Sequence, residues 1–444
     1  MLKLHLGYLS VVILAALLSG CAAYIFAEPP PRSYTIGMSD VDQDGDLDAF
    51  VGNGPGNTDY SGEPNMVWLN DGSGVFTDSG HRLIPANGSD WDVTHVVALG
   101  DLDRDGDTDA MFGNAIPSPN TVWFNDGAGQ FRLQGQYEGM KPVQMFGYSL
   151  STAIALGDVD GDGDLDAYIG NCCRNQWGIS SGNKIEAQGF ADAFDMVWMN
   201  DGEGNFIDSG QRLGNWATGA IALGDLDGDG DLDAFVANRG SGSEFAISDP
   251  HDMVWLNDGV GNFSDSGQRL SPSDGYSVAL GDLDGDGDLD AFIGNAYSGV
   301  ADEVWLNDGK GAFVNSGQRL GNDNTRLVSL DDVDRDGDLD AFVDYQGYGK
   351  IWLNDGIGQF VDSGQHFAWN SAFTSALADV DSDGYKDVFA FRFDGEQRVW
   401  YNNGEGRFDQ REDSAPFLYL IMGGILVLGL GLIGWWFLRQ KMQN

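Results

Sequence analysis

Cysteine is scarce: the 444 residues hold three, at Cys21, Cys172 and Cys173. Three thiols cannot build a disulfide framework, so the fold rests on packing or on another kind of cross-link. Positive charge is also short, with 23 Lys plus Arg against 69 Asp plus Glu and a formal net charge of -46. A surface of that sign repels phosphate, which excludes nucleic acid as a partner. Histidine is limited to five residues. His5 lies in an N-terminal apolar segment, and His81, His95, His251 and His366 are scattered without a nucleophile or metal motif around them. Carboxylates outside the repeats, such as Glu186, Asp192 and Asp195, form no acid–base pattern. No catalytic residue is marked, and the expectation is a protein that is not an enzyme. Acidity of this degree often accompanies disorder. Here aromatic residues make up 12% and apolar residues 42% of the chain, and the acids recur in register.

What is abundant is glycine, 65 residues of it, interleaved with aspartate in a nine-residue loop that occurs seven times. The candidate metal residues are Asp40, Asp42, Asp44, Asp46 and Asp48 in the first loop, and Asp101, Asp103, Asp105, Asp107 and Asp109 in the second. The third has Asp158, Asp160, Asp162, Asp164 and Asp166; the fourth has Asp225, Asp227, Asp229, Asp231 and Asp233. The fifth has Asp282, Asp284, Asp286, Asp288 and Asp290; the sixth has Asp332, Asp334, Asp336, Asp338 and Asp340. The seventh has Asp379, Asp381, Asp383, Tyr385 and Asp387. Hard cations take several oxygen ligands at once, so positions 1, 3, 5 and 9 supply carboxylates, position 7 a backbone carbonyl, and glycine at position 6 the sharp turn. The position-7 side chain is expected to point outward. Up to seven Ca²⁺ ions are expected, since converging carboxylates without a metal repel one another.

Each loop is followed by a Trp-containing hairpin, opening at Trp68, Trp123, Trp198, Trp255, Trp305, Trp352 and Trp400. In the fourth copy a small-residue strand, Ala220 to Gly224, precedes the loop. Ala234 to Asn238 and Met253 to Asn257 are further strands. Asp258-Gly259 makes a tight turn, and a fourth strand runs from Asn262 toward Leu270. Helices on both sides and a Glu at loop position 12 would mark an EF-hand; the flanks here are strand-like. Four antiparallel strands per repeat of 47–67 residues describe a propeller blade. Identical placement of the Trp in every blade assigns it to the seams between blades rather than to a sugar-stacking platform. The Gln-Arg pairs Gln211-Arg212, Gln268-Arg269 and Gln318-Arg319 are expected to protect an outer edge or to pair with nearby acids.

These units resemble FG-GAP and VCBS repeats, which form the seven-bladed propeller of integrin α-subunits and of many bacterial surface proteins. The resemblance covers about residues 34–413 and is carried by motifs such as Asp282-Leu283-Asp284-Gly285-Asp286-Gly287-Asp288-Leu289-Asp290 followed by Val304-Trp305-Leu306-Asn307-Asp308-Gly309. It implies an all-β seven-bladed propeller of four-stranded antiparallel blades, with the loop joining the first two strands of each blade and holding calcium. Every blade carries the loop here, whereas integrins carry it in only some. The first and last copies each contain their own four strands, so the ring is expected to close by face packing.

Both ends carry membrane signals. Residues 1–20 read as a secretory signal ending in Leu18-Ser19-Gly20-Cys21, which resembles a bacterial lipobox with Cys21 as the lipidated residue; cleavage near Ala22-Ala23 is the alternative. Residues 21–33 form a Pro-rich linker. The uncharged run 417–438 spans ~33 Å as a helix, enough to cross a bilayer, and Arg439 and Lys441 place the tail 439–444 in the cytoplasm and the repeats outside. A sorting tail that is cut off fits the same residues. Cys172 and Cys173 are adjacent: a vicinal disulfide, a partner disulfide and two spare thiols all fit.

The acidic loops and the Asn-Asp-Gly turns fall on one face of such a ring, and the connections of variable length fall on the other. The longest, Asn171 to Asp195, holds Arg174, Trp177, Lys184 and Phe190 as candidate ligand residues. The expected function is a calcium-stabilised cell-surface binding or adhesion module for an extracellular protein or glycan. A carbohydrate-active enzyme and a passive envelope scaffold are the alternatives.

Overall fold

The small-residue run before each acidic loop forms the innermost strand of a four-stranded sheet: Ser33–Ser39, Thr94–Gly100, Leu150–Gly157, Ala217–Gly224, Gly275–Gly281, Thr325–Asp331 and Ala372–Ala378. The computed structural model describes residues 33–53, 64–84, 94–114, 119–134, 150–172, 194–239, 251–272, 274–296, 299–369, 372–392 and 396–410. Cys21, the 417–438 run, and Arg174, Trp177, Lys184 and Phe190 lie outside those residues. Among the described residues no helix is long and apolar enough to cross a membrane.

The second strand starts on the last Asp of the loop, as in Asp233–Arg239, and is buried on both faces because it is sandwiched between neighbouring blades. The third strand carries the Trp and the fourth is the outer edge. All seven sheets keep their strands in chain order and antiparallel, which makes a seven-bladed propeller.

The core is divided among the seams. One cluster joins Leu283, Phe292 and Val304 of blade five to Val343, Trp352 and Phe360 of blade six, and six others repeat this at the remaining seams. Trp123, Trp198, Trp255, Trp352 and Trp400 are buried within these clusters, so their role is packing. A blade alone would expose both of its apolar faces, which is why the repeats stand or fall together. The last seam is like the rest. Phe76 of blade one meets Phe389 of blade seven with ring centroids 4.4 Å apart, and Tyr401 Oη donates to the Ser73 carbonyl at 3.1 Å. Blades one and seven share no strand, as expected from their complete sets.

Neighbouring blades also carry matched pairs near the metal-loop face. Gly100, Gly157, Gly224 and Gly281 end their inner strands against Leu165, Leu232, Leu289 and Leu339 of the next blade, where a Cβ would collide with the Leu methyl. Where the glycine is replaced by a polar residue, the partner changes with it, whereas Ala378 of blade seven still meets Leu47 at its seam. Ser39 shares a 2.9 Å hydrogen bond with Thr108, and Asp331 faces the charge of Lys386.

The outer strand differs from expectation. In blade four regular pairing stops at Asp265; the chain swings out with Gly267 at φ 82°, and Leu270 N rejoins the Asp252 carbonyl at 3.0 Å. Short, interrupted edges discourage pairing with another chain.

Candidate metal loops and the opposite end of the ring

The fold of each loop is set by its own carboxylates. The first Asp caps the turn: Asp40 accepts from Asp44 N and Gly45 N, and Asp158 accepts from Gly161 N and Gly163 N, at 2.8–3.1 Å. The fifth accepts from the seventh backbone N–H, as Asp44 does from Asp46 at 3.1 Å. The ninth is buried and ties the loop to the hairpin of its own blade: Asp48 accepts from Val41 N at 3.0 Å and Asn70 N at 2.8 Å. The same two bonds recur at Asp109, Asp166, Asp233, Asp290, Asp340 and Asp387.

Carboxylate oxygens of Asp40, Asp42 and Asp48 converge within 4.8 Å, and so do those of Asp101, Asp103 and Asp109, of Asp158, Asp160 and Asp166, of Asp225, Asp227 and Asp229, and of Asp282, Asp284 and Asp290. Two further carboxylate-rich clusters exist among the described residues. Burial, and behind it neighbouring carboxylates, push the ninth-position groups up: Asp48 rises to about 6 and Asp109 to about 7 against the pull of their backbone donors. Asp42 Oδ1, Asp101 Oδ1 and Asp103 Oδ1 are buried without a hydrogen-bond partner. Buried acceptors without partners are costly, and an all-oxygen donor set of converging carboxylates suits a hard cation.

The position-7 side chain does not reach outward into solvent as expected. It folds over the hairpin glycine of its own blade: Cβ atoms built on Gly72, Gly259 and Gly309 would lie 2.4–2.5 Å from Asp46, Asp231 and Asp288 oxygens. Asp107 and Asp164 are buried, and Arg104 of blade two pairs with Asp164 of blade three. Tyr385 takes the same place over Gly404.

Two ladders between blades were not legible as such. The Asn after each Trp strand donates its Nδ2 to the carbonyl of loop position 2 in the preceding blade: Asn125 to Val41, Asn257 to Val159 and Asn354 to Leu283, at 2.7–2.8 Å. The ladder runs round the whole ring, through Asn70 to Val380 at the last seam. The Gln of the Gln-Arg pairs forms the second ladder. Gln211 Oε1 accepts from Phe263 N at 2.8 Å while its Nε2 donates to the Gly261 carbonyl, and Gln268 and Gln318 repeat this on their next blades. Only the Arg follows the acid-pairing expectation: Arg212 with Asp208 and Arg269 with Asp265, both at 2.7 Å.

At the opposite end of the blades, carboxamides and carboxylates clasp the seams. Asn65 Nδ2 donates to Thr94 Oγ1 at 2.9 Å, and Thr218 Oγ1 donates to Asp195 at 2.8 Å. Asp195 is therefore a seam residue, and burial holds its carboxyl up at about 7. Cys172, buried at the end of a second strand, is disulfide-bonded rather than a spare thiol. His251 Nδ1 lies 2.7 Å from the Leu270 carbonyl, and the His366 ring stacks on Tyr348.

A ring of seven blades with an acidic loop in each defines the class of this chain: a repeat propeller with metal-competent loops. The FG-GAP-like repeat matches at residues 40–112, 101–169, 244–293, 282–343 and 332–389, more than half of the chain. The chain belongs to the FG-GAP-like repeat family. Cartilage acidic protein 1 of Xenopus tropicalis is 28% identical over 185 residues, 40% of this chain and 26% of that protein, so the chain matches about a quarter of its relative's length. Among solved structures, the BP39L lectin from Burkholderia pseudomallei aligns over 86% of this chain and 98% of its own at 12% identity and a TM-score of 0.52. BBS1N, solved in complex with ARL6DN, aligns over 88% and 95% at 9% identity and a TM-score of 0.50. At these identities the likeness is one of fold.

Proposed function

We propose that the chain is a calcium-stabilised extracellular binding module that recognises a glycan or a protein at the end of the ring opposite its metal loops. The observation that carries the reading is the division of labour between the two ends. At one end every blade repeats the same acidic loop and the same Asn ladder. At the other, the blades differ in connection length and in the residues they present to the axis. Uniform chemistry serves assembly, and varied chemistry serves recognition. One structural neighbour is named a lectin and another was solved with a protein partner, so this fold carries both kinds of recognition.

Calcium is the metal favoured by an all-oxygen donor set in a glycine-turned loop. The exported location follows from the leader and the 417–438 run, with an anchored chain, repeats outside and a cytoplasmic tail. No acid–base pair is assigned, and the role is binding rather than catalysis.

The test is a glycan and protein array screened with the full chain, in calcium and in EDTA. Calcium-dependent hits that disappear on deletion of residues 173–193, with an unchanged melt, support the reading. A blank array from chain shown to be folded favours the scaffold alternative.

A further inference from the structure

Every inner strand carries the same irregularity. Its pairing with the second strand slips by one residue near the end opposite the metal loop, as between Thr94 and Val96, Thr218 and Ala220, Gly275 and Ser277, and Thr325 and Leu327. The slip occurs in all seven blades. A bulge leaves one residue unpaired and re-aims its side chain. The bulged residues His95, Thr152, Gly219, Tyr276 and Arg326 all line one cavity of about 490 Å³. All seven inner strands contribute to its wall, so it lies on the ring axis. Apart from Asp331 at the metal-loop end, the rest of these strands is built from small and aliphatic residues, while the described bulge positions vary among imidazole, hydroxyl, hydrogen, phenol and guanidinium.

Two second-strand residues complete the polar end. Arg239 sits with its Cζ 4.1 Å from the Tyr276 ring centroid, and its Nε is buried without a hydrogen-bond partner. Among the described residues it forms no ion pair. Asp344 is 1% exposed; its Oδ2 accepts from Ser375 Oγ at 2.8 Å, and its Oδ1 is buried without a partner. Deeper in, Ile154, Ile221 and Val278 supply an apolar wall. Burial and the Arg239 charge lower His95 to about 4, so near neutral pH it is an uncharged hydrogen-bonding ring.

We propose that this axial cavity binds a hydroxylated carboxylate of the acidic-sugar class, with the carboxylate on Arg239 and a ligand hydroxyl donating to Asp344 Oδ1. The proposal rests on the binding-module reading and names its ligand class. A chain of formal charge -46 repels anions, so a guanidinium facing an axial cavity without a carboxylate partner is selective for one. Asp344 then discriminates. Burial holds its carboxyl up at about 7 against the nearby Arg326 charge, and its unused oxygen is left for a hydrogen bond that a ligand hydroxyl supplies. The apolar wall suits the C–H face of a pyranose ring, and the volume falls within the range of roughly 300–1,000 Å³ common to small-molecule sites.

The experiment is calorimetric titration of the full chain, in detergent and calcium, with D-galacturonate, D-galactose, acetate and an N-acetylated Asp-Glu dipeptide. Galacturonate should bind about tenfold or more tightly than galactose or acetate. Arg239→Gln should weaken both galacturonate and acetate. Asp344→Ala should weaken galacturonate alone, because acetate offers it no hydroxyl. Thermal melts of both variants in calcium verify the fold, and Arg239→Lys, which keeps charge without the fork, should recover only part of the binding. Galactose binding that matches galacturonate, or galacturonate binding indifferent to Arg239→Gln, overturns the proposal. Tighter binding of the dipeptide overturns the sugar class. Array hits with no galacturonate heat would sink the axial site while leaving the binding-module reading in place.

Discussion

Asn257 makes four hydrogen bonds with one small side chain and its own backbone. Its N–H donates to Asp233, its Nδ2 to the carbonyls of Val159 and Leu232, and its Oδ1 accepts from Asp258 N. Asn257→Ala leaves the buried Val159 carbonyl without a donor, at a cost of about 1–3 kcal/mol. A urea titration in saturating calcium should show the midpoint fall with an unchanged slope; an unmoved midpoint would remove the Asn ladder from the account. Asp195 offers a pH test at the same scale. Its carboxyl titrates at about 7, above the ordinary 3.8, because of burial. The folded state holds that proton more tightly than the unfolded chain, so its contribution to stability is full below about pH 4 and lost as pH rises toward 7. Blades one and two use Asn65 and Asn120 at this clasp, where the carboxamide donates to the Thr94 and Ser151 hydroxyls in place of accepting. Asp195→Asn should therefore fold and should flatten the loss of stability between pH 5 and 7.5, measured by urea midpoints in calcium. A pH slope identical to that of the natural chain would contradict the assignment.

Elements were legible where a period showed them. Loop and Trp hairpin recur at spacings that fix strands two and three, and the small residues of strand one marked it as a separate strand before the loop. The bulges were not legible, because a one-residue slip in a strand without polar alternation leaves no mark in the pattern. His95, Tyr276 and Arg326 stand out only once the register is known. The Gln ladder was missed because Gln beside Arg on an edge looks like solvation, whereas Gln268 bonds both the carbonyl of Gly311 and the N–H of Phe313 across a seam. Gln268→Ala should loosen that seam by about 1–2 kcal/mol, read as faster amide exchange of Phe313. Exchange unchanged at Phe313 would show that the ladder is ornamental. The outward position-7 side chain was misjudged for a local reason: the glycine of Asn-Asp-Gly leaves a hollow that a carboxylate, or in blade seven Tyr385, fills.

At the scale of the molecule, the ring has seven similar seams and seven similar loops, and each loop reaches the next blade through its position-2 carbonyl. In the proposed calcium-bound state, metal binding would thereby be coupled to closure. With ~1 mM calcium and a site of ~0.1 mM affinity, each ion adds about 1.4 kcal/mol, and seven add ~10 kcal/mol, which is comparable to the stability of a whole domain. Loss of one site, as in Asp282→Asn, should remove one ion from the stoichiometry and lower stability by about the single-site amount. Failure to lose an ion would place the ligands elsewhere.

The measurement that bears most directly on the account is a thermal melt of the full chain with calcium and with excess EDTA, alongside calcium titration of the stripped protein. Several ions should bind per chain, and the melting temperature should fall steeply on chelation and recover when calcium is restored. A melt indifferent to EDTA, or a chain that binds no calcium, would contradict it.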